Sequence, residues 1–393
     1  MSVRWMRPLG LLLGLLVLGG AGAWWWQTSR PEARYQRGRA ALARNDWDAV
    51  ETQATALETA GHNDQARLLR SESQLRQGRP AEALALLQQL QPQGQLLRQA
   101  LLIQGRALLE LRQLREAYRT FSYLLSEFPE EVEAHRGLAA VTHDLGQMAE
   151  AIQHLDEVAR LDPRDGKPYR LKGLILKDLG NLESSEEAYR AALQRELPAS
   201  FRQAVRAELA DVLLQQTRYA EALNVLEETT GEPDTPSAAR LSAQIEALWR
   251  LGRVEEADRL LQPALMDFPR HARLWLLRGR VLLEQRKPTE AVQALRRAAE
   301  LAPGDYPIRY QLAQALQLAS QSEASEQERR KAEELQRVLE EITNCSRDAV
   351  ERPWDAGLRL RLAELCDRMQ RPELAAMWRE AARECQAIAE KSR

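Results

Sequence analysis

Cysteine is close to absent from this sequence. The chain of 393 residues holds three, Cys345, Cys366 and Cys385, all near the C-terminus. An odd number cannot complete a disulfide framework, and no pair has C-x-x-C spacing, so a zinc ribbon or a thioredoxin-like centre has no support. Cys366 and Cys385 are expected on two helices of one hairpin as small buried hydrophobes, with a disulfide among the three left open. An excess of either charge is also missing. Lys+Arg 55 against Asp+Glu 57 leaves a net charge of -2, so no bulk field draws in nucleic acid, and no nucleic-acid partner is expected. Lysine is scarce and arginine carries the positive charge, the usage of a GC-rich bacterial coding sequence. Aromatics make up only 5%. What remains is dominated by Ala, Leu, Arg, Gln and Glu, all helix formers.

Catalytic signatures are missing as well. No phosphate-binding glycine loop, H-E-x-x-H or G-x-S-x-G occurs. Of the five histidines, His135, His143 and His154 fall within one stretch, but His135 and His143 occupy non-equivalent positions of a helix and do not read as a metal site. The acid pairs Glu130-Glu131, Glu186-Glu187 and Glu255-Glu256 fall at turns or first turns of helices, where the dipole favours them, and capping and solvation account for them. Asn344-Cys345-Ser346 fits a glycosylation acceptor, a match too short to weigh. No enzyme, cofactor or metal is expected.

One long hydrophobic run is present. A short basic N-terminus (residues 1–8, with Arg4 and Arg7) precedes residues 9–26, which approach the length of a spanning helix and end in Trp24, Trp25 and Trp26, where an interfacial belt belongs. The expectation is an uncut transmembrane signal anchor with the body outside the cytoplasm. Ala21-Gly22-Ala23 also resembles a signal-peptidase site, which keeps a cleaved, soluble periplasmic form open. No cysteine follows the run, so a lipid anchor is not available.

From Pro31 onward, apolar helical stretches of about a dozen residues alternate with short breaks, and the pattern repeats. Units begin at Asp64, Arg98, Val132 and Gly166, each 34 residues after the last; others begin near Pro31, Gln203, Ala238, Ala272, Tyr306 and Ala356. The clearest carries Leu138-Ala139, Gly146, Ala151-Ile152, Leu155, Ala159 and Pro163; another carries Trp275, Gly279, Ala291-Val292, Leu295, Ala298 and Pro303. Each second helix has a small residue in turn at Ala83, Ala117, Ala151, Ser185, Ala222, Ala257, Ala291 and Ala375, which lets helices approach closely. A single hairpin cannot bury its apolar face, whereas stacked neighbours share a core. Two irregularities stand out: the loop Gly231–Pro236, and a lengthened polar helix over residues 320–345 expected to pack only by its C-terminal half. Residues 31–319 form the regular array and 346–393 a degenerate capping unit.

These units resemble the tetratricopeptide repeat (TPR) family. The resemblance implies an all-α, right-handed α-solenoid whose first helices line a concave groove, with protein or peptide partners bound there. Carried over by repeat position, the groove holds Arg106, Arg136, Arg170 and Lys177 on its basic side, then Asp211 and Glu246, so its sign should change along its length. Trp249 falls at a groove position flanked by Leu214 and Leu283. If these three are exposed they form an apolar strip rimmed by Asp211, Glu246, Arg250 and Arg280, the anatomy of a hot spot. The carboxylate clamp of some relatives needs asparagine where this chain has Arg106, Ala140, Leu174 and Asp211. The repeats leave no room for a catalytic domain. The expected function is therefore a non-catalytic interaction scaffold or assembly factor, single-pass in a bacterial inner membrane with its repeats on the periplasmic side. The alternative is an accessory subunit of an envelope enzyme or secretion complex, of the glycan-synthesis, export or cytochrome-maturation type.

Overall fold

The computed structural model describes residues 31–228, 237–352 and 355–391. The expected anchor over 9–26 and the Gly231–Pro236 loop lie outside them. Among the described residues the regular elements are all helices, and no helix is long and apolar enough to cross a membrane. In chain order they are α1 (Pro31–Ala43), α2 (Trp47–Thr59), α3 (Asn63–Arg76), α4 (Pro80–Leu87), α5 (Gly94–Glu110), α6 (Leu114–Glu127), α7 (Val132–Asp144), α8 (Met148–Leu161), α9 (Lys167–Asp178) and α10 (Leu182–Leu193). There follow α11 (Ala199–Gln215), α12 (Tyr219–Glu227), α13 (Ala238–Arg250), α14 (Val254–Asp267), α15 (Ala272–Glu284), α16 (Pro288–Leu301), α17 (Tyr306–Leu318), α18 (Ser322–Glu351), α19 (Ala356–Arg368) and α20 (Pro372–Lys391). Odd-numbered helices are the first, and even-numbered the second, of successive hairpins. Packing divides the chain into two units, one ending at Val141 and one starting at Thr142.

One turn is used in every hairpin. A residue with positive φ ends each first helix: Asn45, Gly78, Arg112, Gly146, Gly180, Thr217, Gly252, Arg286, Ser320 and Gln370. Its N–H donates to the carbonyl three residues back and the next N–H to the carbonyl five residues before itself, as in Gly78→Leu75 and Arg79→Gln74, or Thr217→Leu214 and Arg218→Leu213. These two bonds satisfy carbonyls that the helix end leaves open, and they fix the angle at which the second helix returns. Glycine reaches that backbone freely; Thr217, β-branched at φ 63, does so under strain.

Five residues past the turn the two helices touch. That position is alanine or serine in every hairpin but the first, which has Val50, and the alanines from Ala83 to Ala375 are fully buried. The serines show how close the backbones come. Ser185 Oγ donates to Gly173 O at 2.7 Å and Ser325 Oγ to Ala313 O at 2.8 Å, each reaching the first helix of its own hairpin twelve residues back. Glycine on the facing side makes room for a large partner: a Cβ on Gly105 would lie 2.5 Å from Phe121 Cε1, and one on Gly173 2.8 Å from Tyr189 Cε1. Helix-ending prolines punctuate the units, and their carbonyls are taken up by the next first helix. Trp275 Nε1 donates to Pro269 O at 2.9 Å, Arg309 Nε to Pro303 O at 3.1 Å, and His135 Nε2 lies 3.3 Å from Pro129 O.

The long helix differs from the expectation. It runs Ser322–Glu351, past residue 345, and its N-terminal half also makes contacts with α17. Ser325 is the crossing residue of that hairpin, and Glu328 is mostly buried because Arg309 pairs with it at 2.9 Å. Ser325 and Glu328 are thus internal partners, while the other charged residues of this half, such as Arg329, Arg330 and Glu334, stay exposed as expected. The C-terminal half joins Leu335 and Val338 to Leu365 of α19 and to Met369 at its C-terminal cap. Within the second unit, α19 also reaches far along the chain: the fully buried Arg359 donates to Leu145 O at 2.7 Å. The three cysteines are free thiols, with Cys366 and Cys385 buried.

Thr217→Gly should stabilise the protein by about 1 kcal/mol, because relief of the left-handed strain exceeds the entropy glycine adds to the unfolded chain. Ala257→Leu should cost about 3 kcal/mol or more by forcing α13 and α14 apart. Equilibrium urea denaturation of the two variants against wild type measures both signs.

Candidate functional site

Successive first helices present one shared face, and charge is arranged on it in steps of one repeat. Lys177 on α9 meets Asp211 on α11 at 3.3 Å, 34 residues on. Arg273 on α15 bridges Asp211 at 2.8 Å and Glu246 on α13 at 2.8 Å. Arg280 closes the row on Glu246 at 3.2 Å, again 34 residues apart. Nearby, Arg170 forms a two-pronged pair with Glu208 at 2.6 Å and lies over the Phe201 ring, 5.2 Å from its centroid. Burial works against the charged form of Asp211, but Arg273 and Lys177 outweigh it and hold its carboxyl below its ordinary 3.8. Burial likewise opposes charge on Arg273, while Asp211 and Glu246 keep its guanidinium above the usual range. Arg280 is pulled down, by burial first, with Arg250 and Arg273 repelling it.

The residues singled out from sequence therefore fall into different places. Arg170, Lys177, Asp211, Glu246 and Arg280 lie on the shared face of the second unit, joined in ion pairs. The expected change of sign along the groove resolves there into pairs that neutralise each other. Arg106 and Arg136 lie on first helices of the other unit; Arg106 meets Glu72 at 3.3 Å and Arg136 meets Glu133 at 3.1 Å. The expected apolar strip is not exposed. Leu214 is buried in the main hydrophobic cluster of the second unit, and its carbonyl accepts from the Thr217 N–H in the turn. Trp249 and Leu283 are half-buried against apolar neighbours. Trp249 keeps its aromatic role in another form: the Arg250 and Arg280 guanidiniums lie 4.7 and 5.2 Å from its ring centroid.

Two acids read as capping and solvated residues are structural. Glu131 is buried and ion-paired with Arg98, and Glu186 holds Arg190 at 2.8 Å and Arg218 at 2.5 Å. Arg273 was missed by sequence reasoning. Its signal was its place, the second position of a first helix, with acids on the first helices one and two repeats earlier. Among the described residues no group of three His, Cys, Asp or Glu is placed to hold a metal ion.

The tetratricopeptide repeat family matches residues 31–96, 103–166, 170–239 and 242–306, and the chain belongs to that family. Among solved structures, the chain is similar to the apo form of the quorum sensor NprR from B. thuringiensis. The identity is 13%, 78% of this chain and 98% of that one are covered, and the TM-score is 0.54. It is also similar to a tetratricopeptide repeat protein from Parabacteroides merdae, at 17% identity over 64% and 98% of the two chains with a TM-score of 0.47. PilF of Pseudomonas aeruginosa matches at 19% identity over 54% and 95%, with a TM-score of 0.45. At these identities the likeness is one of fold. Comparison with curated proteins returns no match. Repeats of this family generally mediate protein–protein interaction, and the fold is typically non-catalytic.

Removing Arg273 as Arg273→Gln should cost about 1–2 kcal/mol, moderated because its side chain keeps 38% exposure. The sign with pH follows from Asp211. Its folded pKa is depressed, so its contribution is present above the unfolded value and is lost as pH falls through the folded one. Thermal melts of wild type and variant should differ by a constant amount at neutral pH and converge as pH falls from the ordinary 3.8 through the depressed folded value, where the carboxyl takes its proton.

Proposed function

We propose that this protein is a non-catalytic scaffold held at a bacterial inner membrane by residues 9–26, with its repeats on the periplasmic side. Partner proteins or peptides bind on the face of the first helices. The observation that carries this reading is that face itself. Its charges stand one repeat apart on adjacent helices, a spacing that an extended chain can follow. Trp249 is its aromatic anchor: the exposed part of the ring, flanked by Arg250 and Arg280, offers an apolar contact with a cationic rim. Residues 9–26 support the tether by their length and by the tryptophans that end them.

An accessory subunit of an envelope enzyme or secretion complex is the same scaffold with a catalytic partner. The cleaved periplasmic form differs only in losing the tether. Alkaline carbonate washing should leave the full chain in the membrane fraction. A mature N-terminus beginning at Trp24 contradicts the tether and leaves the scaffold reading intact.

Affinity capture from detergent-solubilised membranes tests the face. Trp249→Ala should weaken partner recovery by about 2 kcal/mol or more of binding, as loss of a hot spot does, while Trp249→Phe retains most of it. Recovery unchanged in a Trp249→Ala protein of wild-type melting temperature places the binding elsewhere.

A further inference from the structure

The first unit treats its charges differently from the second. On the shared face of α1, α3 and α5 lies an open cavity of about 570 Å³, within the range of ligand sites. Its floor is apolar, lined by Leu68, Leu69, Leu102 and Ile103, of which Leu102 is the most exposed. Its rim carries Arg39, Arg76 and Arg106, all at least partly exposed, and a single carboxylate, Glu72. Glu72 is already divided: Arg76 holds it at 2.7 Å and Arg106 at 3.3 Å. Arg39 makes no ion pair among the described residues. The phenol beside it stays neutral, since burial pushes Tyr35 up to about 12 even with Arg39 pulling it down, and its hydroxyl is spent on Gln99. Glu32, further along α1, pairs with Gln36 and Gln65 and does not line the cavity.

In the second unit each cation of the row from Lys177 to Arg280 meets an acid of the same row. In the first unit three guanidiniums surround an apolar floor with one carboxylate among them, and that carboxylate pairs with two of them. A guanidinium gains most from a carboxylate that it can grip with two N–H groups, and a site with unbalanced positive charge supplies that grip to a ligand.

We propose that this cavity binds an acidic segment of a partner protein, with a carboxylate against Arg39 and Arg106 and a neighbouring apolar side chain on the Leu68–Leu102 floor. The inference rests on the scaffold reading and assigns the chemistry of one partner contact, away from Trp249.

Fluorescence anisotropy tests it with the full chain in uncharged detergent and a fluorescein-labelled hexapeptide of alternating glutamate and leucine. Binding should weaken with added salt and fall roughly tenfold or more in Arg39→Gln/Arg106→Gln. Arg330→Gln, a charge loss on the exposed side of α18, should leave it unchanged. Should the double variant melt early, Arg39→Gln alone, which breaks no ion pair, carries the same expectation. Equal binding of a lysine–leucine hexapeptide, binding unaltered by the arginine substitutions, or no binding up to about 1 mM peptide, a Kd at the weak limit of useful recognition, overturns the proposal. If the peptide fails while capture still depends on Trp249, the acidic-segment inference falls and the scaffold stands; if both fail, both fall.

Discussion

In every hairpin but the first, a side chain no larger than alanine or serine stands where the two helices cross, and the remaining contacts of the repeats depend on the helices touching there. The small residue brings backbones close enough for Ser185 and Ser325 to bond carbonyls of the facing helix. It also sets Phe121 and Tyr189 against glycines that leave them room. The left-handed turn five residues earlier holds the return angle with two hydrogen bonds, whatever residue occupies it. Close packing at the crossing and a fixed turn make each hairpin a rigid block, and rigid blocks stack with a constant step.

That constant step turns sequence spacing into geometry on the functional face. A cation on one first helix meets an acid one repeat away because the two positions are equivalent, as with Lys177 and Asp211, or Glu246 and Arg280. Where partners are matched, as from Lys177 to Arg280, the charges join neighbouring repeats and contribute to stability. Where they are not, as around Glu72, the same geometry leaves positive charge facing outward. The distinction between structural and recognition charges is one of bookkeeping between neighbours, and residue type does not reveal it.

Much of the fold was legible because its determinants are local and periodic. Gly78, Arg112, Gly146 and Gly180 stand 34 residues apart, and Ala83, Ala117, Ala151 and Ser185 each follow five residues later. The first helices of the units, and the helix-ending prolines, were readable for the same reason. Two features were not. The N-terminal half of α18 looked solvated because Ser325, Glu328 and Lys331 are polar, yet two of the three are spent on α17. The burial of Leu214 was hidden because a repeat position does not say how far a side chain leans into the core. The site was legible as a face and as a set of positions. Its pairing was not, since Arg273 reaches two acids on two different helices, at sequence separations of 62 and 27 residues.

The central claim is that the first helices carry recognition and the second helices carry structure. Hydrogen–deuterium exchange on the full chain, alone and with its captured partner, tests it most directly. Partner binding should slow exchange in α1, α3, α5 and the first helices from α9 to α15, and leave α6, α10, α14 and α16 unchanged. Slowed exchange confined to those second helices would contradict it.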